Sequence, residues 1–387
     1  MNKTPISNVI LPIAISMCFL LIGNSFVLQR TLIGSTKYLT IRGDTIAYIA
    51  MIEGNWSSVN APYKFRVLVP FVASLLPCSP TDSLRGITYL SLFLAYIYIL
   101  LTCSKLGLNI NQSAIGLAAV WASTWHLYNY HNPFLTDAFG ILVICMMIFA
   151  LISDSFSTFV TASFLGVLAR EATIFLIPTW VVKKQVRRSI LLFIGALVLL
   201  FIPRYFLGSE TDPTLISAFN KVGFLHQPSF VIRIFASWGF VWFLSLIGIW
   251  YLPREKFVLV AVAFLSLLFG AFFTSLIATD TGRMFSILTP VLAISSAQLY
   301  SVLFEKKRIW AFILCSLIVL QLFVTIPNIF FPEGSRIFGW PRFILLICEV
   351  IFTGLILLIL RKSLTLEVRE KASYVFKIMR KPFVPSQ

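Results

Sequence analysis

Charge is what this sequence has least of. Asp, Glu, Lys and Arg together make up 12% of its 387 residues, about half of what a soluble domain carries, so a water-facing globular surface cannot be built from it. Acids are scarcer still, 15 against 31 Lys and Arg. Cysteine is sparse too. Of six, Cys18, Cys103, Cys145, Cys315 and Cys348 fall inside apolar runs and only Cys78 in a loop-like stretch, which excludes a disulfide framework. No group of His, Cys and carboxylates has metal-ligand spacing, and there is neither a glycine-rich phosphate loop nor a Gly-x-Ser-x-Gly elbow. A bound metal, a cofactor and a covalent-nucleophile hydrolase are therefore not expected. Gly/Ser linkers, low-complexity tracts and visible repeats are missing as well, which predicts one domain over 1–387.

What is present is hydrocarbon: 58% hydrophobic residues and a mean hydropathy of +0.91. A helix needs about 20 apolar residues to span a bilayer, and only helices or closed barrels can do so. The runs here are continuous rather than alternating, so the expected fold is an all-α polytopic transmembrane bundle of about ten spans. These are Val9–Val27, Ile87–Cys103, Ala114–Tyr128, Leu135–Ile152, Ser189–Phe206, Val231–Tyr251, Phe257–Ile277, Met284–Phe304, Ile309–Ile326 and Phe343–Leu360. The first carries a single Lys3 before it and no small-residue cleavage pattern after it, and reads as a retained span.

One stretch, Phe159–Val182, is interrupted by Arg170-Glu171. As two helices, each piece of about 12 residues reaches only about 18 Å, too short to cross squarely. The charges arbitrate. If 159–182 is a short-helix hairpin, then Lys183-Lys184, Arg187-Arg188, Arg254, Lys256, Lys306-Lys307-Arg308 and the tail from Arg361 all fall on the side of Lys3 and Lys105. That side then holds more than half of the cations, as the positive-inside rule asks; a single crossing destroys the bias. The hairpin reading puts both termini in the cytoplasm and Arg170-Glu171 at an apex reached from outside. The net charge of +16 thus reads as topology plus contact with anionic headgroups, with no support for nucleic acid. The basic tail 361–387 is expected along the inner surface.

The outer side keeps an unusual set. The first exported loop, 29–86, with interfacial helices that include Val67–Pro77, packs Arg42, Asp44, Tyr48, Tyr63, Lys64 and Arg66 into a short space. Three further clusters share that side: Tyr130-His131 through Asp137, Ala169-Arg170-Glu171, and Thr279-Asp280-Thr281-Gly282-Arg283. Charged groups at membrane depth are costly and usually functional, and exported loops gain no topogenic advantage from cations. Structural readings compete at each place. Gly-Asp-Thr is a good helix start, so Asp44 can serve as a cap. Arg170 can pair with Glu171 to lock the hairpin, and Asp280 with Arg283 across their turn. Lys64 and Arg66 can bind headgroups. His126 and His226 read as satisfied interfacial histidines.

This layout resembles the GT-C superfamily of integral-membrane glycosyltransferases. The matching pieces are GDTIAY at 43–48, PYKFRVLVP at 62–70, the Asp137 helix start, ARE at 169–171 and DTGRM at 280–284. There is no Asp-x-Asp pair in the first loop and no soluble C-terminal domain. The resemblance implies a catalytic acid in the first exported loop, here Asp44, acting as general base, and a sugar donor carried on a polyprenyl phosphate. The acceptor would be a glycan, lipid or protein at the outer leaflet of a bacterial-type plasma membrane. Arg42, Tyr48, Tyr63, Lys64, Arg66, His131, Asp137, Arg170, Glu171, Asp280 and Arg283 are the candidates to bind substrate. A flippase or transporter could use the same buried charges, and a glycan polymerase or ligase would share the chemistry with a different donor.

Overall fold

The computed structural model describes residues 7–32, 43–60, 63–208, 238–239, 241–275, 281–306, 308–330 and 339–380. Every element among them is helical. Helix α1 is Ser7–Leu32, α2 is Asp44–Ile52, α3 is Leu68–Ser74, α4 is Pro80–Lys105 and α5 is Ile110–Trp121. Then follow α6 Thr124–His131, α7 Asp137–Ser153, α8 Phe156–Ala169 and α9 Val186–Leu207. The chain continues with α10 Val241–Trp250, α11 Arg254–Ser275, α12 Thr281–Met284, α13 Thr289–Lys306, α14 Arg308–Phe330 and α15 Gly339–Arg380. Short 3-10 turns occupy Trp56–Ser58, Tyr63–Phe65 and Phe285–Leu288, and a long 3-10 segment runs Glu171–Lys183. Among the described residues, five helices are long and apolar enough to cross a membrane: Val9–Val27, Pro80–Lys105, Val186–Leu207, Arg254–Ser275 and Phe285–Lys306.

The core is built around α13, 83% buried over its most apolar window. It is sandwiched between α5 and α10. Small residues make that approach possible. A methyl group at Gly116 would fall on the Ala293 carbonyl, and one at Gly248 on the Ser295 carbonyl, the close backbone packing typical of apolar helices that lack a hydrophobic drive to associate. The second axis is α7, buried along nearly its whole length between α4 and α8. By contrast α1 and α9 bury only 17% of their windows and present rows of exposed Ile, Leu, Val and Phe.

Several sequence expectations change. The run 114–128 is two helices, α5 and α6. Ser123 takes an extended conformation and caps the second, accepting from the His126 amide, while Gln321 of α14 donates to the Ala122 carbonyl at the break. Serine competes for backbone hydrogen bonds, which favours a fresh start over a continued helix. Helix α4 begins at Pro80 on a Ser79 cap, seven residues before the expected Ile87, and α15 runs unbroken to Arg380 through residues 361–380 of the tail.

The segment 156–183 doubles back. Asp154 before α8 pairs with Lys183 at the far end of the 3-10 segment at 3.3 Å, and Trp180 packs on Phe156 and Phe159 with centroids 5.3 and 4.7 Å away. The two legs differ in kind. The return leg is 3-10, a form seldom longer than four residues, and its 2 Å rise per residue stretches it to about 26 Å, longer than the 18 Å expected of an α-helix.

The ends of the bundle have opposite characters. At one end Lys183 meets Asp154, Lys256 donates to the Ile152 carbonyl, Arg254 pairs with Glu370, and Lys306 and Tyr251 reach Ser363. Asp137 begins α7 at the other end, about 25 Å away at 1.5 Å per residue.

Candidate functional site

Each segment that carries a charge to the Asp137 end arrives there for a local reason. Gly43 sits at φ 54°, a conformation glycine takes at no steric cost, and turns the chain into α2 with Asp44 as first residue. Gly43, not Asp44, is the N-cap, and no side chain caps the helix. The Asp44 carboxylate is instead free to leave its own helix. It meets Arg283 of α12 at 2.6 Å. Arg283 also reaches Asp137 at 2.9 Å, and Arg170 meets the other Asp137 oxygen at 2.5 Å. Arg170 further donates to the Ser286 hydroxyl at 3.3 Å and the Arg283 carbonyl at 3.2 Å. Two carboxylates and two guanidiniums from four elements therefore form one chain. The guanidiniums approach Asp137 off-axis, leaving neither of its oxygens a well-aligned hydrogen bond.

A second chain lies beside it. Arg66, just after the Tyr63–Phe65 turn, donates to Tyr48 at 3.1 Å and to Glu171 at 3.2 Å. Tyr48 lies 3.4 Å from the Thr136 hydroxyl. Arg204, in the last turn of α9, stands 3.7 Å from Glu171, with its guanidinium over the Phe65 ring at 4.7 Å. Lys64 is buried in the same turn, its ammonium 5.5 Å above that ring. In this chain the single Glu171 carboxylate faces two guanidiniums, Arg66 and Arg204.

Tyr63 joins the two. Its ring stands edge-on to Tyr48 at 6.1 Å and its hydroxyl bonds to Asp44. Burial, then the neighbouring Asp44 carboxylate, push its phenol up to about 12, so it stays a proton donor at neutral pH. Burial pulls the Arg66 guanidinium toward its neutral form, but Tyr48 and Glu171 outweigh it and hold Arg66 firmly charged.

Asp44, Tyr48, Tyr63, Arg66, Asp137, Arg170, Glu171 and Arg283 are thus brought together from across the chain. Arg170 and Glu171 do not pair with each other but point into different networks, while Arg283 reaches Asp44 and Asp137. His131 ends α6, half-buried against the Tyr128 ring at 5.8 Å. Arg42 and Asp280 lie outside the described residues, as does His226. His126 is buried and bonded through Nε2 to Tyr96 at 2.7 Å, a partnered histidine as expected. Three contributors escaped the sequence reading, Arg204, Thr136 and Ser286. Only Arg204 left a signal, as a cation at the outer end of an apolar run.

Access within the site is graded. The Arg170 and Asp137 side chains are 2% and 3% exposed, Arg283 and Asp44 11% and 17%, Glu171 and Arg204 21% and 31%. Among the described residues no group of three His, Cys, Asp or Glu could hold a metal ion. No protein-family model, curated protein or solved structure matches the chain.

Proposed function

We propose that this chain is an integral-membrane glycosyltransferase that moves a sugar from a polyprenyl phosphate to an acceptor at the outer leaflet, with Asp44 as general base. The observation that carries the reading is the Asp44–Arg283–Asp137–Arg170 chain, in which Asp44, the more accessible of its two carboxylates, is held by Arg283 from a remote element. Sugar transfer passes through an oxocarbenium-like state. A carboxylate within reach of the acceptor hydroxyl takes its proton as the new bond forms, while charge grows on the departing phosphate.

The two chains divide those tasks. Arg170 has no surface to offer a ligand and acts by holding Asp137, which in turn orients Arg283. Arg283 and Tyr63 then fix the direction of the Asp44 carboxylate. Arg66, held charged beside Glu171 and Tyr48, suits the phosphate, since a guanidinium holds such oxygens by two parallel bonds. Preorganised donors in an apolar setting cost no rearrangement at the moment of reaction.

The test is transfer of labelled sugar in membranes from a polyprenyl-phosphate donor, with donor binding followed in parallel. Asp44→Asn is expected to lower the rate about 10²–10⁴-fold, the usual cost of a lost general base, with donor affinity kept. Arg66→Ala is expected to weaken donor binding as well, since ground and transition states both carry the phosphate. Full activity in Asp44→Asn would remove the base assignment.

A further inference from the structure

Tyr48 is a substrate-binding candidate by sequence, yet it has no surface to offer a substrate: its side chain is fully buried. What it touches gives it another role. Its hydroxyl oxygen accepts from the Arg66 guanidinium at 3.1 Å, which leaves the phenolic proton for the Thr136 hydroxyl, 3.4 Å away. Thr136 stands at the N-cap position of α7 without capping it, so its hydroxyl serves Tyr48 in place of its own helix.

Asp44 and Tyr48 lie one turn apart on α2, and side chains at that spacing share a helix face. That face therefore carries both the carboxylate that meets Arg283 and the hydroxyl that meets Arg66. Helix α2 is 9 residues long and lacks a side-chain cap at its N-terminus. A helix so short does not hold itself, and its tertiary bonds decide where it sits. Arg66 gives its Nε to Glu171 and one terminal nitrogen to Tyr48, and a guanidinium has further N–H donors for an anion. Arg170 and Glu171, adjacent in the chain, also join the two networks, but their path to Asp44 runs through three ion pairs. The path through Tyr48 crosses one helical turn, about 6 Å of rise.

We propose that Tyr48 is a positioning residue that couples the two networks: an anion taken up by Arg66 sets the Asp44 carboxylate through the Tyr48 hydroxyl and the turn of α2 between them. The inference rests on the reading of Arg66 as phosphate holder and Asp44 as base. An anion on the remaining nitrogens draws the guanidinium toward itself, and the hydroxyl bonded to it carries α2 along. The base then reaches its working position only when the phosphate is in place. Misplacing a reacting group by about 1 Å can cost on the order of 10²-fold in rate, so a small shift of α2 is enough.

The test puts a fluorotyrosine in place of Tyr63, whose hydroxyl bonds to Asp44. Its fluorine NMR signal is followed on the full chain in detergent, with farnesyl phosphate as probe and binding measured by calorimetry. In the wild-type background the probe is expected to bind and to shift the signal. Tyr48→Phe keeps the ring, and with it the edge-on contact to Tyr63 at 6.1 Å, and removes only the hydroxyl. It is expected to bind the probe at least as tightly, because Arg66 is left with one acceptor fewer, and to lose most of the shift. Sugar transfer in that variant should fall roughly tenfold or more in kcat, within the usual span of coupling between sites, with the donor KM unchanged. Thr136→Val should lose part of the shift. An undiminished shift in Tyr48→Phe, a bound probe that shifts nothing in the wild-type background, or a fall in kcat matched by weaker probe binding would overturn the coupling. Failure of the probe to bind would remove the phosphate role of Arg66 and the coupling with it. A response that depends on Tyr48 in a chain that transfers no sugar would uphold the coupling and remove the transferase reading alone.

Discussion

A buried arginine is stable only while its carboxylate is present. Arg170 and Asp137 are both withdrawn from solvent, and taking two ions out of water costs several kcal/mol each, which their attraction and added hydrogen bonds must offset. Removing one partner strands the other. Arg170→Ala is therefore expected to lower stability by about 3–5 kcal/mol, whereas replacing both Arg170 and Asp137 with Met and Leu should recover most of it. Thermal unfolding in detergent of both single variants and the double variant checks this. A double variant no better than the singles would mean that Arg170 is held chiefly by Ser286 and the Arg283 carbonyl. The double variant should still lack transfer activity, because Arg283 would lose the oxygen that orients it.

At the scale of elements, packing rests on close approach instead of large side chains. Helix α13 accepts α5 and α10 only because Gly116 and Gly248 carry no Cβ at the contacts with its backbone. Backbone cannot yield as a flexible side chain can, so overpacking here separates helices. Gly248→Val is expected to cost about 1–3 kcal/mol, the usual range for added methyl groups in a filled core. Gly354→Val, where nothing lies within 4 Å of the Cβ position, should be close to neutral. Comparing the Tm of the two variants separates packing from helix propensity, since both exchange glycine for the same residue inside a helix. The 3-10 leg 171–183 illustrates the limit of reasoning by length. At about 2 Å per residue a 13-residue 3-10 leg is longer than an α-helix of as many residues, so residue count alone does not fix its reach.

Across the whole molecule, charge is sorted by end. Lys183, Arg254, Lys256 and Lys306 gather at one end with the extension of α15, and the acid-arginine cluster lies at the other. The positive-inside bias then predicts the lysine end in the cytoplasm. In a background without native cysteines, Ser35→Cys and Glu210→Cys should be labelled by an impermeant reagent from outside, and Val186→Cys and Lys307→Cys spared. Labelling at 186 from outside would sink the orientation.

By itself the sequence determined the solvent and the inventory. Too few charges and long continuous apolar runs leave helices as the only way to satisfy the backbone, and charge parity along the chain asks for a segment such as 156–183 to double back. It also marked the residues with something costly to explain, Asp44, Asp137, Arg170, Glu171 and Arg283, because an ion in hydrocarbon is visible wherever it stands. It could not say who pairs with whom. Neighbours in sequence invite a local pair, Arg170 with Glu171, but a side chain goes to the partner that best repays its desolvation, and that partner is set by how α7, the hairpin apex and α12 meet. Only tertiary structure decided that Arg170 belongs to Asp137 and Glu171 to Arg66. It also recruited Arg204, which looks from the sequence like an ordinary boundary cation. The break at Ser123 was hidden for the same reason: an apolar run shows its length, while the hydrogen bond from Gln321 to the Ala122 carbonyl that makes a break tolerable comes from a remote helix.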